Sequence, residues 1–202
     1  MQPANVAFLR THSYYGLLES LLSPADLVKI AVKQGIPALG LTDHQYLTGS
    51  IEFYEACHQC GIKPILGLQV DLVYNGSIGR LTLLAKDLSG WSNLCTLSSL
   101  TLAEGNQINL TTLHQYRQGL VALVGGYRDL LRYLLLNTPA YEKWPQHFLQ
   151  DLKALTMADS FSKVQRCASG PLQNESALLE LANHYDLPLV ASQSIHYLDP
   201  QD

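Results

Sequence analysis

The sequence predicts an α/β architecture with a mainly parallel sheet or barrel, and three observations carry that expectation. A helical segment, a short connection and an apolar strand follow one another three times along the chain. Such alternation with short links is the signature of helices laid on parallel strands. The stretch from Gly35 to Gly67 shows two of these strand ends, and the first of its apolar runs, Ile36 to Leu41, stops at Thr42-Asp43-His44. An Asp-His pair at the end of a buried parallel strand lies where α/β folds collect functional side chains, because the strand fixes the backbone and the following loop leaves the side chains accessible.

Each element has a local cause. Ser23-Pro24-Ala25-Asp26 reads as an N-cap with Pro at the first helical position. Leu27, Ile30, Ala31 and Gln34 continue at helical spacing until Gly35 ends the helix. Pro37 to Leu41 is then a short buried strand. A second helix from Thr48 to about Cys60 is terminated by Gly61 and leads to a strand around Ile65 to Val70. Arg80 to Ala85 reads as a strand, Leu88 to Leu100 as a helix, Leu120 to Val124 as a strand and Asp129 to Leu136 as a helix. The third helix-then-strand unit is Gln173 to Tyr185 followed by Leu187 to Ala191. Asn137 to Ser169, with Pro139 and Pro145 and mixed polarity, is the least regular segment, and Ser160 to Gln165 is its one candidate strand.

The 202 residues, 47% hydrophobic, suffice for one domain spanning residues 1–202. A formal charge of −4 gives no basic footprint for nucleic acid, so DNA contact would have to come from elsewhere. No apolar run approaches the roughly 20 residues of a membrane span, and no secretory signal core opens the chain. A cytoplasmic protein is expected. Cys57, Cys60, Cys95 and Cys167 are then thiols. Cys57-His58-Gln59-Cys60 has the spacing of a zinc half-site, but no second pair follows at a knuckle-like distance. Cys57 is read as a core residue and Cys60 as a small residue near the helix end.

Taken in order, His12-Ser13-Tyr14-Tyr15-Gly16, Gly40 to His44, Gly61 to Gly67, Leu81 to Leu94, Tyr116 to Gly126 and Leu187 to Pro200 closely resemble one family. That family is the N-terminal polymerase-and-histidinol-phosphatase (PHP) domain of bacterial DNA polymerase III alpha subunits. The likeness runs over nearly the whole chain and weakens between Asn137 and Gly170. It implies a distorted seven-stranded (β/α) barrel whose strand C-termini can carry up to three metal ions. It also implies an N-terminal fragment of a longer polymerase chain, a DNA-directed DNA polymerase (nucleotidyltransferase) acting in replication, of which the palm, thumb and fingers are absent.

Active relatives use histidines and carboxylates from several strand ends, since each metal needs converging deprotonated donors. Matched to that pattern, the mouth here is degenerate. The family's first histidine of a His-x-His is Arg10, ahead of His12, and a neutral ligand has become a permanent cation. The bridging glutamate falls at Gln69, and the carboxylate of a late Asp-x-His at Ser194. Gly125-Gly126, where a His or Cys ligand is placed, offers no side chain and is read as a strand-end turn. What remains matches a single residual site, Glu19, His44 and His196, able to hold one zinc or manganese ion. The leading expectation is instead a metal-free polar network in which Asp43 pairs with Arg10, with no catalytic residue assigned.

His58, His114, His147 and His184 are read as surface residues, and Tyr14 and Tyr15 as packing residues beside the mouth. The resemblance thus implies a non-catalytic PHP domain scaffolding the remainder of the polymerase chain and an exonuclease subunit, reaching DNA only through the parent enzyme and making no membrane contact. The alternative is a metal-dependent phosphoesterase or 3′–5′ exonuclease working by metal-activated water.

Overall fold

The computed structural model describes residues 6–17, 19–103, 105–139, 142–156, 160–164, 166–167, 170–171, 174–193 and 195. The chain forms two compact units, one comprising residues 1–69 and 193–202 and the other residues 70–192.

The first unit begins with strand β1 (Ala7–Thr11), helix α1 (Pro24–Gln34), strand β2 (Ala38–Leu41) and helix α2 (Ser50–Cys60), and ends in the first part of strand β3 (Lys63–Tyr74). α1 starts where expected: Ser23 is extended and its hydroxyl accepts from the Asp26 N–H at 3.0 Å. Pro24 occupies the first turn, where its missing N–H costs nothing. Gly35 ends the helix in the left-handed region at φ 67°, a conformation open to a residue without Cβ. α2 closes the same way at Gly61, φ 68°.

β1, β2 and β3 lie side by side and parallel, with Leu39 opposite Phe8 and Pro64. Their inward residues meet the helices in one apolar core: Leu27, Val28 and Ala31 of α1, Phe53 and Cys57 of α2, and Leu39 and Leu41 of β2. Phe53 and Cys57 are fully buried, and burying a side chain of Phe size stabilises by about 1.5–3 kcal/mol. Cys57 is therefore a core residue and Cys60 an exposed one, as the sequence suggests.

The second unit contains the remainder of β3, strand β4 (Ser77–Ala85), helix α3 (Leu88–Ala103), strand β5 (Ile108–Asn109), helix α4 (Leu110–Gln115), strand β6 (Leu120–Val124) and helix α5 (Leu130–Asn137). Helix α6 (Trp144–Thr156), strand β7 (Ser160–Val164), a small pair β8 (Arg166–Cys167) and β9 (Gly170–Pro171), helix α7 (Glu175–His184) and strand β10 (Leu189–Ala191) follow. The strand order is β3-β4-β6-β7-β10, with β5 beside β3. β6, β7 and β10 run parallel, and β4 is antiparallel to β6.

Two expectations change here. β3 and β4 are longer than read and meet at Asn75-Gly76, both at positive φ, the dipeptide that suits a tight hairpin turn. The segment read as irregular contains the 13-residue helix α6. Pro145 is the second residue of that helix, and the first turn is where Pro is tolerated. Gly125 does form a strand-end turn, at φ 97°. No helix among the described residues is long and apolar enough to cross a membrane.

Candidate functional site

The candidate site belongs to the first unit. Parallel pairing brings the C-terminal ends of β1 and β2 level with the middle of β3, where Gln69 stands opposite His44 rather than at a strand end as the sequence suggests. The Thr42 N–H donates to the Thr11 carbonyl at 2.9 Å, the Gln69 N–H to the Asp43 carbonyl at 3.0 Å and the Gln45 N–H to the Gln69 carbonyl at 2.8 Å. Beyond β1, the His12 N–H donates to the Ile195 carbonyl at 3.0 Å, and the Ile195 N–H to the Arg10 carbonyl at 3.3 Å. Ser194 and His196, the two expected site residues on either side of Ile195, lie outside the described residues.

Arg10, His12, Asp43 and Gln69 are all buried. With the Gln69 amide oriented so that its oxygen faces the guanidinium, Arg10 donates to that oxygen from Nε at 2.6 Å and from Nη2 at 3.1 Å. The two substitutions read from the sequence as separate losses are thus in direct contact. A buried guanidinium requires acceptors in place of water, and an amide oxygen supplies one without supplying a charge.

Asp43 does not take Arg10 as its partner. Its carboxylate accepts from the Ser13 N–H at 2.6 Å and from the Ser13 hydroxyl at 2.5 Å. Asp43 lies beyond the end of β2, level with the first residues of the loop after β1, so backbone and side chain of Ser13 reach it together. Burial pushes the Asp43 carboxyl up to about 6, against the two Ser13 hydrogen bonds that pull it down, and nearby Glu19 adds a further upward push.

Ser13 also fixes the loop. Its hydroxyl accepts from the Tyr15 N–H at 3.2 Å, and its carbonyl from the Gly16 N–H at 3.0 Å. The Tyr14 N–H closes the loop on the Leu22 carbonyl at 2.8 Å. Glu19 rides on this loop, and its carboxylate stands 3.8 Å from Nδ1 of His44, both side chains largely buried. Tyr14 and Tyr15 pack ring against ring at 4.5 Å.

Glu19 and His44 are the described residues best placed to share a cation. Among the described residues, no group of three or more His, Cys, Asp and Glu could hold a metal ion, so these donors do not by themselves make up a metal site. His58, His114, His147 and His184 are exposed.

A second polar cluster, absent from the sequence reading, lies in the other unit. Lys163 of β7 and Asp129 before α5 are fully buried and meet at 2.6 Å, and Lys163 Nζ also donates to Thr82 Oγ1 at 3.0 Å. Its sequence signal is a lysine inside a strand whose neighbours are otherwise small or apolar.

The strand-end site and the α/β fold define the class, and the PHP domain family matches residues 9–167. The chain belongs to that family. It is 32% identical to the DNA polymerase III subunit alpha of Aquifex aeolicus over 96% of its length, and 32% identical to that of Escherichia coli K12 over 100%. It spans only 18% of the length of either relative. A two-domain protein from Bacteroides vulgatus, containing a predicted PHP-like metal-dependent phosphoesterase, shares the fold with a TM-score of 0.63 at 14% identity, over 95% of this chain and 52% of that one.

Proposed function

We propose that this chain is the N-terminal PHP portion of a DNA polymerase III alpha chain and serves as a non-catalytic scaffold for the rest of that chain and for an exonuclease subunit. DNA replication is then the process and the cytoplasm the place. The nucleotidyl transfer belongs to segments beyond these residues. One observation carries the reading: Arg10, 3% exposed, spends Nε and Nη2 on the neutral amide of a fully buried Gln69. The family resemblance puts metal ligands at both positions, and a guanidinium that cannot lose its proton opposes a cation beside it. The mouth is read as degenerate, its ligand positions at Arg10, Gln69 and Ser194 lost and its described polar groups Arg10, His12, Asp43 and Gln69 now serving the fold.

A second reading, a metal-dependent phosphoesterase or 3′–5′ exonuclease, is favoured by the Glu19–His44 contact. With His196 these residues would hold a single zinc or manganese ion, which would supply Lewis-acid polarisation of a phosphate group. Metal analysis of protein purified without chelator, together with turnover of a nitrophenyl phosphate and of a 3′-recessed DNA, separates the two. The scaffold reading expects substoichiometric metal and no turnover. Manganese- or zinc-stimulated turnover that disappears in His44→Ala would overturn it.

A further inference from the structure

β7 is a central strand, paired with β6 through Ala122↔Ser160, Leu123↔Phe161 and Val124↔Ser162, and with β10 through Ser162↔Leu189 and Lys163↔Val190. Buried parallel strands normally read as near-continuous apolar runs, and that run sets their register. β7 does not. Ser160, Ser162 and Lys163 are all buried, with the serines on one face and Lys163 on the other, since side chains alternate along a strand. Half-buried Phe161 is the one apolar residue between the serines and shares the face of Lys163, so the apolar pattern sets this alignment only weakly.

Lys163 supplies the missing preference. Its ammonium, 0% exposed, is matched by the Asp129 carboxylate at 2.6 Å and by Thr82 of β4 at 3.0 Å. Asp129 is itself held. The oxygen that meets Lys163 also accepts from the Gly126 N–H at 2.7 Å, and the Asp129 N–H returns to the Gly126 carbonyl at 3.1 Å. The preceding residue is tied to β4 by the Arg80 N–H, which donates to the Arg128 carbonyl at 2.9 Å. A slip of one residue would turn the ammonium to the opposite face, away from its carboxylate. A slip of two would keep the face but carry the side chain about 6.5 Å along the strand. Either leaves a buried charge unpaired, an outcome far costlier than relocating two serines.

We infer that Lys163, seated between Asp129 and Thr82, is the register pin of β7, selecting one alignment of this strand between β6 and β10. Fixing a register is the best-attested use of a buried ion pair, whose net contribution to stability is often small.

The test compares the 202-residue chain with its Lys163→Met variant and with Lys163→Met combined with Asp129→Asn, reading cross-strand NMR contacts between β6 and β7. The double variant leaves no buried charge unpaired and keeps an amide oxygen for the Gly126 N–H. Lys163→Met should give more than one set of β7 resonances, the minor set reaching about a tenth of molecules, or should fail to fold. The double variant should fold and still show more than one set, because the pin is missing although no charge is stranded. A single native register in either variant overturns the inference. So does a double variant that does not fold, which would make the pair a support of stability rather than of register.

Discussion

Ser13 gives both of its donors to Asp43, the backbone N–H to one carboxylate oxygen and the hydroxyl to the other, at 2.6 and 2.5 Å. This contact joins the loop after β1 to the end of β2, and the same loop carries Glu19 to His44. Ser13→Ala leaves Asp43, a buried carboxylate, with one of its two donors. The expected cost is about 1–3 kcal/mol, the penalty for an unmet buried polar group, measured by urea unfolding. A change below about 0.5 kcal/mol, the range of surface substitutions, would show that the clamp contributes nothing.

Arg10 and Gln69 make a different kind of pair, a charge on a neutral amide. Arg10→Ala removes a charged donor from the buried Gln69 oxygen and should cost at least about 1.5–3 kcal/mol, as for hydrogen bonds to charged groups. Gln69→Glu alone should form an ion pair with Arg10 and leave metal affinity unchanged. Arg10→His, Gln69→Glu and Ser194→Asp together should raise zinc or manganese affinity, because ligands act as a set. Isothermal titration with either metal reads the difference, and tight binding by Gln69→Glu alone would refute the coupling.

What the sequence disclosed follows from how local each cause is. Ser23, Pro24, Gly35 and Gly61 act within one turn of helix, and the elements they bound stand where the sequence puts them. Parallel strands with short links are enough to bring Arg10, Asp43 and Gln69 to one level of the sheet, although β3 runs on past Gln69 to Tyr74. The hairpin has a local signal in the Asn75-Gly76 dipeptide, whereas α6 has none as clear, because Pro145 suits a first helical turn only once the helix start is known. The partners were not legible at all. Whether Asp43 meets Ser13 or Arg10 depends on ångström-scale placement of strands distant in sequence, and Lys163 finds Asp129 across 34 residues of chain.

Burial pushes the Cys57 thiol up to about 12, well above an ordinary thiol, with nearby Cys60 adding to the effect. The sign follows from linkage: a thiol harder to ionise folded than unfolded contributes stability that is present below pH 9 and is lost as pH rises toward 12. Unfolding midpoints should fall across that window, and Cys57→Ala should flatten the fall while lowering stability at neutral pH through lost packing. Cys57 should also resist iodoacetamide in the native state at pH 8 while exposed Cys60 reacts, since the thiolate is the nucleophile. Mass spectrometry finding equal labelling of both would contradict this.

Gly40 and Gly61 are glycines for opposite reasons, and their substitutions should part accordingly. A methyl group on Gly40 would stand 2.6 Å from the Leu9 carbonyl oxygen and 2.8 Å from its carbon. These are backbone atoms of the neighbouring strand and cannot turn aside. Gly40 also lends its carbonyl to the Thr11 hydroxyl at 2.5 Å, so pushing β1 away disturbs the residue next to Arg10. Gly61 has nothing within 4 Å of such a methyl, but its φ is 68°. Gly40→Ala should cost about 1–3 kcal/mol or more through overpacking, and Gly40→Asn should be worse still. At Gly61 alanine should cost about 1–2 kcal/mol through left-handed backbone alone, and asparagine, which adopts that conformation readily, should recover part of it. Thermal unfolding of the four variants decides the matter: if asparagine is the milder change at Gly40, the close approach of β1 and β2 is not what requires a glycine there, and if it is the harsher one at Gly61, the left-handed backbone is not what requires a glycine at that position.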